Sequence, residues 1–194
     1  MGTKGSQTRA KLLDATRALI EKRGYYGAGL NQIIETSGAP RGSLYYHFPS
    51  GKDQIVAEAV AQAGAEIAAA LSATEDGDSP TAPTEGRGSA DLATDLLTVL
   101  GNRLEATGWA AGCPVAQVTL DIAATSDQIQ AKCAAAYESW ERAIRDRLAA
   151  EQRPDAEDLA TSLLAMVEGG LLLARAKRSR APLEQVGRVI RSML

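Results

Sequence analysis

The sequence predicts an all-α protein of about nine helices. Three observations support this. Apolar residues recur at offsets of three and four through most of the chain. No stretch alternates with period two for long, and β-branched runs are absent. Glycine, proline and capping residues interrupt the periodic stretches at helix-like lengths. With 194 residues the chain can build one or two domains with a real core.

The first helix is marked by Leu12, Ala15, Thr16, Leu19 and Ile20, one face at offsets 0, 3, 4, 7 and 8, with Gly24 as its stop. Leu30, Ile33, Ile34 and Ser37 mark a short second helix that Gly38 breaks. Pro40 suits the start of a third helix, Pro40–Phe48, whose Leu44 and Phe48 face inward. Pro49-Ser50-Gly51 ends it. A longer helix from Lys52 carries a stripe of Val56, Ala59, Val60, Ala63, Ile67, Ala70 and Leu71. Residues 72–91 have no apolar period and are rich in Gly, Pro, Ser and Thr, so a mobile loop is expected there.

In the second half Leu92, Leu96, Leu100 and Leu104 line one helix face, and Gly108 ends it. Pro114 opens a short helix over Val115, Val118 and Ile122. Ser126 is the expected N-cap of a long helix with Ile129, Cys133, Tyr137, Trp140, Ile144 and Leu148. Pro154 and Asp155 open the next, with Leu159, Leu163, Val167, Leu171 and Ala174. Pro182 opens the last, with Leu183, Val186, Ile190 and Met193.

Formal charge is −3 overall but unevenly placed. Residues 1–52 hold eight Lys/Arg against three acids, which makes that segment +5 and the remainder −8. A basic end on an acidic protein suggests that this end either meets a polyanion or forms a solvated charged helix face, and charge alone does not choose between them. The two cysteines, Cys113 and Cys133, have no C-x-x-C spacing, so neither a disulfide framework nor a zinc site is expected. The polar start has no apolar signal core. The longest apolar region, near Ser162–Ala174, is short and contains Glu168, so no membrane span is expected and a soluble, cytoplasmic protein is read.

The stretch "SGAPRGSLYYHFPSGKD", residues 37–53, gathers a basic residue, two tyrosines and the only histidine beside glycines. Two short helices joined by a tight glycine turn read as helix-turn-helix. Leu44 and Phe48 pack against Leu30, Ile33 and Ile34, which leaves Arg41, Gly42, Ser43, Tyr45, Tyr46 and His47 for a DNA major groove and its walls. Arg41 has the fork to read a guanine edge. Gly42 permits close backbone approach, and Ser43, Tyr45 and His47 can donate to phosphates. Asn31 on the preceding helix joins the candidate DNA contacts. Lys52 adds charge at the start of the next helix, whose N-terminus offers free N–H groups.

The segment from about Thr8 to Ile55 resembles the DNA-binding domain of TetR-type (tetracycline-repressor-like) regulators. The matching residues are Thr8-Arg9, Leu12-Leu13, Ala15, Gly24-Tyr25, Ile33, Ser37-Gly38, Gly42, Leu44-Tyr45, His47-Phe48 and Lys52. "GLNQIIETSGAPRGSLYYHFPSGKD" and "GCPV", residues 112–115, are similar to the LmrA/YxaF-like branch. The chain departs from the family pattern at Ala28 and Gly29, where many members carry a capping Ser or Thr, and at Ile34, where many carry Ala. Gly51 lengthens the turn before Lys52, as in the branch named.

The resemblance implies a homodimer with small DNA-binding heads, here residues 1–52. It implies a body, here residues 53–194, that binds an effector and dimerises through its last two long helices. Binding of effector would release operator DNA, which makes a repressor the expected function. Leu96, Leu100, Trp109, Cys113, Val118, Tyr137, Trp140 and Met166 are the candidate pocket residues; Gln117 and the Tyr137 hydroxyl would supply polar contacts to a mostly apolar ligand. Gly169-Gly170 invites close approach of a partner helix. The alternatives are a helical interaction adaptor and a carboxylate-based hydrolase, neither binding DNA. The single histidine lies in the reading stretch, and no Cys/His pair, phosphate loop or metal spacing supports catalysis, so no catalytic residue, metal or cofactor is assigned.

Overall fold

The computed structural model describes residues 3–72 and 88–194. Among these residues there are nine helices and no strand. They are α1 (Thr3–Gly27), α2 (Leu30–Ser37), α3 (Arg41–His47), α4 (Lys52–Ser72) and α5 (Ser89–Ala106), followed by α6 (Pro114–Ile122), α7 (Asp127–Ala150), α8 (Ala156–Lys177) and α9 (Ala181–Met193). The expected loop over 72–91 is shorter at both ends, since Ser72 closes α4 and Ser89 opens α5; its residues 73–87 lie outside the described residues.

The chain divides into two compact units, Met1–Glu66 with Cys113–Tyr137, and Ile67–Gly112 with Glu138–Leu194. In the first, α1 packs on α2, α3 and α6. The inward stripe of α1 is the expected one: Leu12, Ala15, Thr16, Leu19 and Ile20 are all buried. Thr16 donates its hydroxyl to the Leu12 carbonyl at 2.7 Å, which makes its burial cheap. Leu44, Phe48 and Ile33 are completely buried, while Leu30 and Ile34 are only half-buried. On α4, Ile55, Val56, Ala57, Ala59, Val60, Ala63 and Gly64 are buried. Gly64 is a contact that periodicity missed: a Cβ there would lie 2.7 Å from the Ala136 Cβ on α7.

In the second unit α9 packs on α5 and α8. The α5 face turned inward is Leu97, Gly101 and Leu104 rather than the expected run of Leu92, Leu96, Leu100 and Leu104; of the latter only Leu104 is buried. Small residues explain the shift. A Cβ on Gly187 of α9 would sit 3.3 Å from the Leu97 side chain, so α9 comes close on that side. Gly170 serves the same chain too: its Cβ would lie 3.2 Å from both Leu183 and Val186 of α9, whereas Gly169 has nothing within 4 Å. Gly88, the N-cap of α5, has no side chain to cap with, and Glu151 does this instead, accepting from the Ser89 amide and hydroxyl at 2.8 Å each. Two residues on, Arg153 caps the C-terminus of α9, donating to the Met193 and Leu194 carbonyls at 3.0 and 3.2 Å.

The helices α4 and α8 are long and apolar enough to cross a membrane by length and composition, with mean hydropathy of 1.3 and 1.4 over their best windows. The sequence expectation considered only the shorter apolar core of α8. In the folded chain α8 buries Leu159, Leu163, Leu171 and Ala174.

Candidate nucleic-acid interface

The helix α3 begins at a turn whose geometry is written in its residue types. Gly38 caps α2 with φ 63°, a left-handed conformation that glycine adopts without a Cβ penalty. Ser37 ties the turn, donating to the Ile34 carbonyl at 3.1 Å and accepting from the Ala39 amide at 3.2 Å. Pro40 is the N-cap of α3 and Phe48 its C-cap, so the helix is one residue shorter at each end than the expected Pro40–Phe48. Gly51, at φ 78°, turns the chain into α4, where Gln54 reaches back to accept from the Ser50 amide at 3.0 Å.

Burial of Leu44 and Phe48 turns the opposite face of α3 outward. Arg41, Gly42, Tyr45 and Tyr46 are exposed, and Ser43 and His47 are half-buried. Tyr46 is 76% exposed, far more than a packing tyrosine would be. The Tyr46 and His47 rings meet edge to face at 5.0 Å. Asn31 is exposed in the first turn of α2, and a Cβ on Gly42 would meet nothing within 4 Å, so the surface there is open. Arg9 lies over the Phe48 ring at 5.3 Å and pairs with Glu58, bracing α3 from behind.

Lys52 is half-buried. Its ammonium sits 4.0 Å above the Tyr25 ring. Burial lowers its pKa, opposed by the negative charges of Asp53 and Asp121. The Tyr25 hydroxyl donates to Asp53 Oδ1 at 2.5 Å. Burial, with that bond, pushes the phenol up to about 12. Ser126 donates to Asp53 Oδ2 at 3.1 Å. Its carbonyl accepts from the Gln130 amide at 2.9 Å, as an N-cap's should, but its hydroxyl is engaged with α4. Asp121 of α6 accepts from the Tyr25 amide at 2.7 Å, just after the helix breaks at Gly24. Sequence reasoning missed Asp53, Asp121 and Ser126 as partners of this region. Only the Gly24 stop signalled that something special happens there.

The nine candidate ligand residues divide between the units. Val118 is fully buried and Trp140 nearly so, while Leu96, Leu100, Trp109, Cys113, Gln117, Tyr137 and Met166 are half-buried. Cys113 is the N-cap of α6, its sulfur accepting from the Ala116 amide at 3.5 Å. Trp109 holds φ 65°, rare for a bulky side chain, in the turn that follows α5. A cavity of about 200 Å³ lies between α5 and α9; it is lined by Thr94, Leu97, Leu183, Arg180, Arg188 and Arg191 among others, and by none of the nine.

Comparison with known proteins agrees with this architecture. The family described as "Bacterial regulatory proteins, tetR family" matches residues 12–59, and "Transcriptional regulator LmrA/YxaF-like, C-terminal domain" matches residues 90–189. The HTH-type transcriptional regulator LmrA of Bacillus subtilis is 35% identical over 96% of each chain. The HTH-type transcriptional repressor DhaR of a Mycobacterium species is 24% identical over 91% of this chain and 87% of its own. Among solved structures, reduced NemR of E. coli superposes with a TM-score of 0.81 at 19% identity over 95% of each chain, a likeness of fold. TetR-family regulators bind operator DNA and form dimers; they are not enzymes. The chain therefore belongs to the TetR family of helix-turn-helix transcriptional regulators, in its LmrA/YxaF-like branch.

Proposed function

We propose that this chain is a dimeric, effector-released repressor that acts in the cytoplasm, with residues 1–52 as the DNA-reading head and 53–194 as the body. The observation that carries the reading is the two-sidedness of α3: Leu44 and Phe48 inside, Arg41, Tyr45 and Tyr46 outside. Arg41 reads a base; Asn31, Gly42, Ser43, Tyr45, Tyr46 and His47 fit the groove and its phosphates; Lys52 holds a phosphate. That the relative DhaR is a transcriptional repressor supports repression here.

Binding to operator duplex at several salt concentrations tests this. Affinity should fall about 10³-fold or more from low to moderate salt if several phosphates are contacted. Arg41→Ala should cost about 1–3 kcal/mol at one base position per half-site, while Lys52→Ala weakens all sequences alike. Salt-independent affinity, or one shared profile for both variants, refutes the assignment.

The effector reading rests on Leu96, Leu100, Trp109, Cys113, Gln117, Val118, Tyr137, Trp140 and Met166, a largely apolar set without exposed members. Its ligand must prefer the state that misfits DNA, since equal affinity for both states shifts nothing. A library of apolar small molecules, screened for quenching of Trp109 and Trp140 and for release of DNA, tests it. If Trp140→Ala, Trp109→Ala and Met166→Ala all leave release unchanged, the pocket lies elsewhere.

A further inference from the structure

We propose that Asp121, on α6, is a positioning residue for DNA binding that acts on the Lys52 ammonium through Tyr25. The inference rests on the DNA reading above, with Lys52 as a phosphate contact.

A lysine ammonium is a point charge on a flexible four-carbon stem, so a useful phosphate anchor must be held where the phosphate will be. Here the holder is the Tyr25 ring, 4.0 Å from the ammonium, well inside the range of a cation–π contact. The ring is itself fixed at both ends. At its tip the hydroxyl donates to Asp53 at 2.5 Å, and Asp53 is held by Ser126 at 3.1 Å. At its base the main-chain amide donates to Asp121 at 2.7 Å.

The Asp121 contact is built into the backbone. At Gly24, φ 66° and ψ −171° break the helix and swing Tyr25 to the position it occupies. A Cβ on Gly24 would lie 2.1 Å from Asp121 Oδ2, so the carboxylate fills the space that the missing side chain leaves. A packing role for Tyr25 would require neither the hydrogen bonds at both ends nor a cation on its face. The arrangement instead makes the site of one charge in the head depend on a carboxylate 69 positions further along the chain.

The test is a double-mutant cycle on the full chain, read as the slope of log affinity against log salt. The probe is a duplex selected by the wild type from a random pool. Lys52→Ala, which removes one phosphate contact per half-site and so two per dimer, should reduce the slope by about 1.8 and, near ~0.1 M salt, weaken binding roughly 60-fold. Tyr25→Leu and Asp121→Ala should each reduce the slope likewise, and neither should reduce it further in the Lys52→Ala background. Tyr25→Phe, which keeps the ring face, should retain most of the wild-type slope. A variant that merely loses folded protein lowers the active fraction and leaves the slope alone, so the slope separates positioning from stability. The proposal is overturned if Tyr25→Leu and Asp121→Ala leave the slope at its wild-type value, or lower it equally with and without Lys52. If the wild type itself shows no salt-dependent binding, the DNA reading fails first and this proposal with it.

Discussion

Replacing Gly24 by alanine should be among the most damaging single-methyl changes in the chain. Two costs arise together. At φ 66°, ψ −171° the backbone occupies a region that is essentially reserved for glycine, and a side chain there costs about 1–3 kcal/mol. The new Cβ also meets Asp121 Oδ2 at 2.1 Å and its Cγ at 3.2 Å. The carboxylate must leave and take with it the 2.7 Å bond from the Tyr25 amide, a charge-assisted bond worth about 1.5–3 kcal/mol. Stiffening of the unfolded chain returns about 0.4–1 kcal/mol. The net loss is about 2–5 kcal/mol, measurable by urea denaturation at fixed protein concentration, since a dimer's stability depends on concentration. In the Asp121→Ala background only the backbone cost survives, about 1–3 kcal/mol less the same ~0.4–1 kcal/mol from the unfolded chain. Equal losses in the two backgrounds would show that the carboxylate does not fill that space. A loss below about 0.5 kcal/mol would show that Gly24 does not hold the left-handed break.

Gly170→Leu should destabilise the chain itself, because α9 of the same chain already lies against that position; thermal melting checks it. Gly169→Ala should gain about 0.5–1 kcal/mol, since its Cβ enters open space in a helix. The dimer is better probed at Leu172 and Leu173, 59% and 49% exposed on α8: Leu172→Asp should give monomers in sedimentation with the helical signal intact, and an unchanged dimer would move the interface elsewhere. The phenol absorbance that Tyr25→Phe removes should titrate near pH 12. The folded pKa of Tyr25 is raised, so its contribution to stability is full below pH 10 and lost as pH climbs from 10 to 12; Tyr25→Phe should abolish that component of alkaline unfolding.

The fold was legible because helices that bury one face must show it in sequence. The Leu12–Ile20 stripe of α1 and the Leu44/Phe48 pair of α3 are local patterns, and the structure places them inside. The outward face of α3 was legible for the same reason, as what is left of the seven residues once Leu44 turns inward beside the C-cap Phe48. Failures came where one helix meets another distant in sequence. The inward face of α5 is decided by Gly187 of α9, and the use of Gly170 by Leu183 and Val186, contacts that no window over a single helix contains. Ser126 shows how the two levels mix. Its backbone does what a capping serine's does, but a carboxylate 73 positions away claims its hydroxyl.

The basic charge of the head shows the same limit in electrostatic form. A count over residues 1–52 gives +5 because the acids that oppose some of those cations lie beyond the boundary. Arg9 pairs with Glu58, and Arg17 with Glu21 and Glu66; two of these three acids fall outside the counted segment. Arg17's charge is held fast, its pKa raised by those two glutamates against the effect of burial. Such pairs brace α1 against α4 and are poor candidates for phosphates, since reaching one would mean breaking a pair already made. Among the described side chains of this segment, the cations facing outward are Lys11, Lys22, Arg23 and Arg41, with Lys52 half-buried on Tyr25. Polyanion binding by this head therefore depends less on how much positive charge the segment carries than on which of its cations the fold leaves uncommitted. Arg41 is the one of these cations that projects from α3 itself, which is what makes it the proposed base reader.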